Sequence, residues 1–248
     1  MHYVVGNWKM HLTVPEAVAL AGRIEDGLTH VAGGNGELPQ VVICPPFTAL
    51  SAVGDVTDGR TVMLGAQTSH WAEPGPQTGE ISPEQLKDLV RFVLVGHSER
   101  RAAGETDEIV ARKLAATVQA GLTSILCVGE REAGPDAEKY TLQQLRAGLA
   151  EVDPSTVESL LVAYEPAEDI GNGRPAEVGQ VTEMVAALHS ELADLKAEDA
   201  AVLYGGSVDM DNVKDFLDVP GLDGLLVGGA SLSDQQFISI VTQVAEHG

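Results

Sequence analysis

Eight short apolar runs, separated by segments with helical periodicity, constrain the fold of this chain more than any other feature of its sequence. Each run is continuous rather than alternating, as expected of a strand that is buried on both faces of a parallel sheet. The runs are YVV from residue 3, VVI from 41, VML from 62, FVLV from 92, SILCV from 124, LLVAY from 160, AVLY from 201 and LLV from 225. Strands that alternate with helices in this way predict an α/β protein.

Helical patterns occupy the intervals between these runs. The longer ones cover residues 15–27, 83–90, 107–120, 138–150, 176–195 and 233–246, and two shorter ones cover 48–53 and 210–217. Eight strand–helix units within 248 residues match the size and order of a (β/α)8 barrel. An open doubly wound sheet is the alternative, but no G-x-G-x-x-G motif follows the first strand. No shift in composition divides the chain, so residues 1–248 are predicted to form one barrel domain.

The net charge of the chain limits its partners. There are 37 acidic and 15 basic residues, a net charge of −22, which argues against binding to nucleic acid or to an anionic membrane. No apolar run approaches the roughly 18 residues that a membrane-spanning helix requires. The N-terminus lacks the basic start and long apolar stretch of a signal peptide, so the cytoplasm is the expected location. An anionic substrate would need a local positive site.

The two cysteines of the chain each follow an apolar run. Cys44 and Cys127 are therefore predicted to be small buried hydrophobic residues in a reducing compartment. On this count we expect neither a disulfide nor a metal site.

Polar and glycine-rich segments follow five of the predicted strands. In a (β/α)8 barrel these points share the carboxyl-terminal rim, where active sites are built. The segments are Asn7-Trp8-Lys9, Gly96–Arg100, Glu165 with the loop 171–173, Gly205–Ser207 and Gly228–Ser231. Residues that are distant in sequence are therefore expected to converge on one site.

Three of these segments suit a phosphate group. Gly228 and Gly229 open a short helix, and the backbone N–H groups at a helix start bind phosphate. The glycines before Ser207 provide a second set of N–H groups and Gly171 a third. One glycine pair alone would indicate only a turn, but three at one rim favour a phosphate site. Lys9 would supply the local positive charge.

A base and a neutral acid are predicted at the same rim. His97 ends a strand and precedes SERRA, so N–H groups at a helix start disfavour its imidazolium form and leave a neutral, donating ring. Glu165 stands at the end of the sixth strand. Each residue alone would be interpreted as structural. Together with Lys9 they suit abstraction of a proton next to a carbonyl.

Seven motifs, in this order along the chain, resemble those of the triosephosphate isomerase family. They are GNWKM at 6, TGEIS at 78, GHSERR at 96, CVGE at 127, AYEP at 163, YGGSV at 204 and VGGASL at 227. Each motif is weak alone, but the set is highly specific. The resemblance implies an isomerase of glycolysis and gluconeogenesis that interconverts dihydroxyacetone phosphate and D-glyceraldehyde 3-phosphate, with no cofactor and no metal.

The resemblance also implies a role for each matching residue. Glu165 would carry a proton between C1 and C2, His97 would polarise the carbonyl, and Lys9 would stabilise the enediolate and the phosphate. The other implied site residues are Asn7 in the pocket, Gly171, Ser207, Gly228 and Gly229 on the phosphate, and Ser98 and Glu99 in support.

Two implied features lie outside the pocket itself. Residues 166–173 would form a lid that excludes water during turnover. Thr78 and Glu80 would lie on a loop that reaches into a second subunit, which implies a homodimer.

Several residues depart from the family pattern. Glu168 and Asp169 replace the usual tryptophan and alanine of the lid, while Thr68 and His11 each replace an asparagine. A lid that closes less completely would suit an alternative substrate, a four-carbon ketose phosphate of the erythrulose 1-phosphate type. A non-catalytic phosphate-ester-binding relative is a further alternative, but the intact Asn7, Lys9, His97 and Glu165 argue against it.

Overall fold

The computed structural model describes residues 2–33, 37–57, 59–132, 134–152, 160–166 and 175–247. Within these residues, eight parallel strands pair in chain order and close into a barrel, because β1 pairs with both β2 and β8. The (β/α)8 barrel predicted from the sequence is therefore confirmed. No helix of this part of the chain combines the length and the apolar character needed to cross a bilayer.

The eight strands coincide with the apolar runs of the sequence. They are β1 Tyr3–Asn7, β2 Gln40–Cys44, β3 Val62–Ala66, β4 Phe92–Val95, β5 Thr123–Val128, β6 Leu160–Tyr164, β7 Ala201–Tyr204 and β8 Gly224–Val227. Nearly every residue in them is buried, as expected for strands covered by side chains inside the barrel and by helices outside it.

Helices cover the outside of the barrel. They are α1 Val14–Ala32, α2 Leu50–Gly54, α3 Pro83–Leu86, α4 Ser98–Ala102, α5 Asp107–Gln119, α6 Ala137–Leu149, α7 Val178–Asp194, α8 Lys214–Leu217 and α9 Asp234–His247. Short 3₁₀ helices at Phe47–Ala49 and Gly229–Leu232 follow β2 and β8.

Three helix boundaries differ from the sequence prediction by four residues or more: the ends of α1 and α3, and the start of α8 at Lys214 instead of residue 210. Helix α1 continues to Ala32 instead of ending at Gly27, because Gly27 is a packing position: a Cβ there would collide with Ile238 of α9. Helix α3 begins at Pro83, as predicted, after Ser82, whose Oγ accepts a hydrogen bond from Gln85 N at 3.3 Å, but it ends at Leu86 instead of residue 90.

The core has two layers. One lies inside the barrel and includes Val5, Cys44, Leu94, Cys127 and Leu226. The other lies between the strands and the surrounding helices. Both cysteines are buried, as predicted from their positions after apolar runs.

Gly129 allows the loop after β5 to lie close to Glu165, the residue that follows β6. A Cβ at Gly129 would overlap the backbone carbonyl of Glu165, which cannot move away as a flexible side chain could. The carbonyl at the end of β5 accepts a hydrogen bond from Glu165 N at 2.8 Å, so the two segments are also tied together there. Gly129 thus helps to place Glu165 at the rim.

We expect Gly129→Ala to lower the free energy of unfolding by about 2 kcal/mol or more, because backbone must shift to accommodate the added methyl group. The matched control is Gly22→Ala within α1, where an added Cβ meets nothing within 4 Å. That change should stabilise the protein by about 0.5–1 kcal/mol through helix propensity. Urea unfolding measures both effects, and equal stabilities would contradict the close approach at Gly129.

Candidate active site

In the part of the chain that the structure describes, the loops at the carboxyl ends of the strands line a cavity of about 460 Å³. Seven of the residues predicted from the sequence line it: Asn7, Lys9, His97, Glu165, Ser207, Gly228 and Gly229. They come from strands β1, β4, β6, β7 and β8 or the loops that follow them, so the convergence expected of the barrel rim is observed.

Glu165 is a buried carboxylate at the bottom of this cavity, with 3% of its surface exposed. Its Oε1 lies 3.0 Å from Nε2 of His97, and its Oε2 accepts a hydrogen bond from the backbone N–H of Ser98 at 2.8 Å. Gly205 leaves room for the side chain, since a Cβ there would come within 3.0 Å of Glu165 Cγ. The carboxylate is therefore held by groups from β4 and its loop.

The geometry assigns the tautomer of His97. His97 is the N-cap of α4, and its Nδ1 accepts a hydrogen bond from Glu99 N at 3.2 Å. A ring nitrogen that accepts a hydrogen bond carries no proton, so the proton of the ring belongs on Nε2, which faces Glu165. This arrangement matches the neutral, donating ring that the sequence predicted.

Lys9 has an unusual backbone conformation, with φ at 51° in the left-handed region. Its N–H donates to Asn7 Oδ1 at 3.0 Å, and its ammonium donates to Glu99 Oε1 at 2.8 Å. A Cβ on Gly228 would lie 3.7 Å from Lys9 Cε, so the lysine side chain runs past the predicted phosphate glycines.

The pKa of Glu99 responds to this ion pair. Burial raises the pKa of the Glu99 carboxyl, but the hydrogen bond and the charge of Lys9 outweigh burial, so the pKa lies below its ordinary value of 4.5. Because the pKa of Glu99 is depressed in the folded state, its ion pair with Lys9 stabilises the folded protein at neutral pH. This stabilisation is lost as the pH falls through the folded-state pKa.

The glycines after β7 and β8 shape part of the cavity wall. A Cβ at Gly206 would collide with the ring of Tyr204, so a side chain is excluded by packing. At Gly229, where a 3₁₀ helix begins, a Cβ would meet nothing within 4 Å, and the backbone there borders open space in the cavity.

Other lining residues were not identified from the sequence. They include His11, Asp209 and Gln236. His11 stands two residues after Lys9 and could have been found from that position. Asp209 forms a turn by accepting from the backbone N–H groups of Asp211 and Asn212, and Gln236 lies in α9, so neither has a motif that marks it.

The residues predicted to support the site, and those predicted to contact a second subunit, do not line the first cavity. Ser98 and Glu99 line a second cavity of about 450 Å³, which also reaches Glu165. Thr78 and Glu80 are exposed on the loop between β3 and α3 and do not line the first cavity. Residues 167–173 of the predicted lid, which include Glu168, Asp169 and Gly171, lie outside the described residues.

Comparisons with known proteins agree on one family. The family model described as triosephosphate isomerase matches residues 2–244. The triosephosphate isomerase of Roseiflexus sp. (strain RS-1) is 43% identical, over 96% of this chain and 95% of the relative. That of Herpetosiphon aurantiacus is 42% identical, over 96% and 97%. The crystal structure of triosephosphate isomerase from Bartonella henselae superposes with a TM-score of 0.84 at 32% identity, covering 96% of this chain and 97% of that one.

We expect neither cysteine to react with a thiol reagent in the native protein. Burial raises the pKa of Cys44 to about 12, and burial followed by the charge of Glu165 raises that of Cys127 well above its usual range. The thiolate is the reactive form. Ellman's reagent at pH 8 should detect no fast-reacting thiol before unfolding and both thiols after it. A Ser190→Cys variant on the exposed face of α7 is the positive control, and rapid native labelling of the parent would contradict the burial.

Proposed function

The chain belongs to the triosephosphate isomerase family and interconverts dihydroxyacetone phosphate and D-glyceraldehyde 3-phosphate, and we propose that Glu165, His97 and Lys9 carry this reaction. The observation that supports these roles best is the contact between Glu165 and the Nε2–H of a neutral His97. A glutamate base paired with a neutral histidine is the established arrangement of this family.

The geometry gives each residue a step. In the structure, Nε2 of His97 lies 3.0 Å from Glu165 Oε1. A substrate carbonyl oxygen would accept a hydrogen bond from Nε2–H, and the carboxylate would remove a proton from the adjacent carbon. The electron pair of the broken C–H bond moves into the new C=C bond, and the carbonyl oxygen gains negative charge. His97 gives its Nε2 proton to this oxygen and takes the proton of the hydroxyl group on the neighbouring carbon, whose oxygen forms the new C=O bond as the C=C bond breaks. Glu165 delivers its proton to the carbon that carried the original carbonyl, which completes the isomerisation.

Lys9 would stabilise charge in both the phosphate and the enediolate. Among the described residues that line the cavity it is the only lysine or arginine, in a chain of net charge −22. A preorganised donor of this kind is typically worth about 10²–10³ in rate. Asn7 holds the Lys9 turn, and Ser207, Gly228 and Gly229 would bind the phosphate through backbone N–H groups.

The two alternative functions are not favoured. The relatives that cover nearly the whole chain are named triosephosphate isomerases, which supports the three-carbon substrate over a four-carbon ketose phosphate. The non-catalytic alternative also conflicts with the contact between Glu165 and His97, since a binding protein has no use for a buried base.

We propose further that the protein is a cytoplasmic homodimer. Thr78 and Glu80 are exposed, and Met10, next to Lys9, has 96% of its surface exposed. A large apolar side chain beside the site is a suitable contact for the loop of a second copy. In such a dimer the loop with Thr78 would approach Asn7 and Lys9 of the partner subunit from behind.

Glu165→Asp tests the base. The carboxylate is kept but withdrawn by one methylene, and reaction geometry tolerates little displacement, so kcat should fall by about a hundredfold or more with a small change in KM. The control is Glu191→Asp, a buried carboxylate that pairs with Arg146 far from the cavity, which should keep the parental kcat. A parental kcat in Glu165→Asp would remove this residue from the mechanism.

Thr78→Arg tests the assembly. Light scattering of the parent should give twice the 26.0 kDa of one chain, and the variant should show a lower mass together with lower activity. Thr29→Arg, at an exposed position of α1, makes the same change outside the loop and should alter neither value. A fully active parental monomer would refute the homodimer.

A further inference from the structure

The backbone of Lys9 requires support. Its φ of 51° lies in a region that residues with a side chain rarely adopt. Such a conformation persists only where the surroundings hold it in place. Asn7 Oδ1 accepts from the Lys9 N–H at 3.0 Å, which holds one side of the residue. The Lys9 carbonyl is held by a residue that no sequence motif indicated.

That residue is Gln67, which directly follows β3. Its Nε2 donates to the carbonyl oxygen of Lys9 at 2.7 Å and to that of Cys44 at 2.9 Å. Both partners are acceptors, so only the NH₂ end of the amide can face them, and the orientation of the side chain is determined. One side chain therefore joins the loop after β1 to the end of β2.

Gln67 is itself fixed on both sides. β3 precedes it, and Thr68 follows it, with Thr68 Oγ1 accepting a hydrogen bond from the buried Lys113 Nζ at 3.0 Å. Lys113 Nζ also donates to Glu105 at 2.7 Å. Cys44, the second acceptor, is the last residue of a central strand, and its carbonyl also accepts from Trp8 N at 3.1 Å. The two hydrogen bonds donated by Gln67 thus connect Lys9 to the rigid frame of the barrel.

We propose that Gln67 is a positioning residue for Lys9, acting through the Lys9 carbonyl to hold the left-handed turn that aims the ammonium at the phosphate glycines. The residue does not touch the cavity, since it is absent from the described lining. The proposal rests on the role proposed for Lys9 above. If the proposal is correct, the position of the Lys9 side chain depends on Gln67, in the loop after β3.

Gln67→Met removes both donated hydrogen bonds at similar side-chain length. The affinity for phosphoglycolate, an enediolate mimic, and kcat/KM should each fall by about tenfold, the effect of leaving a buried carbonyl without its donor. Gln67→Asn keeps the amide but shortens the reach, so its loss should have the same direction and a smaller size. Parental affinity and kcat/KM in both variants would overturn the proposal.

A double-mutant cycle separates positioning from a general structural role. Lys9→Met alone should weaken phosphoglycolate binding strongly, and adding Gln67→Met should then have no further effect, because the two residues act as one unit. Independent, additive losses would overturn the proposal. Parental binding in Lys9→Met would refute the proposed role of Lys9 itself. Weak binding in Lys9→Met together with parental binding in Gln67→Met would refute only the positioning role of Gln67.

Gln85→Met is the matched control. Gln85 Oε1 accepts from Ser82 N at 3.0 Å at the start of α3, so this change removes a comparable hydrogen bond to backbone without touching Lys9. It should lower the midpoint of thermal unfolding with phosphoglycolate affinity unchanged. If Gln85→Met weakens binding as much as Gln67→Met at an equal loss of stability, the effect is general and the positioning role is refuted.

Discussion

The pairing of β1 with β8 is the contact on which the rest of the structure depends. Tyr3 lies opposite Gly224 and Gly6 opposite Val227, so the sheet closes with all eight strands parallel. Closure brings the carboxyl end of every strand to one rim, and it places the loop of Lys9 beside Gly228 although more than 200 residues separate them in sequence. Without this contact the base, the histidine, the lysine and the glycines would have no common cavity.

The electrostatics of the site follow from a constraint on the whole chain. A protein of net charge −22 that binds a phosphate ester must do so with few cations. Among the described residues, the cavity offers a single lysine, open backbone at glycines, and a histidine whose Nδ1 accepts a hydrogen bond. Glu99 holds the Lys9 ammonium in place and remains ionised, because its pKa is depressed. The site therefore depends on one lysine held in position by hydrogen bonds, and not on an excess of basic residues.

Positions in the site are set as much by backbone as by side chains. Lys9 occupies a left-handed conformation, Gly129 lets β5 approach Glu165, and Gly205 leaves space for the Glu165 side chain. Gln67 then joins Lys9 to the barrel frame across a separation of 58 residues. Each of these residues packs against rigid neighbours, which limits small displacements of the site. A group that transfers a proton must be held precisely, so this rigidity supports the proposed reaction.

The sequence by itself determined the class of fold, the order of the strands, the motifs of the family and seven of the residues around the cavity, because apolar periodicity and short glycine or charged motifs are local properties of the chain. It also indicated a neutral His97 from the helix start that follows it. Only the tertiary structure decided which nitrogen of His97 faces Glu165, where α1 and α3 end, and that Gln67 holds Lys9. Those features depend on strand register, loop conformation and contacts between distant segments. A local sequence pattern does not specify which distant residue a side chain contacts in the closed barrel.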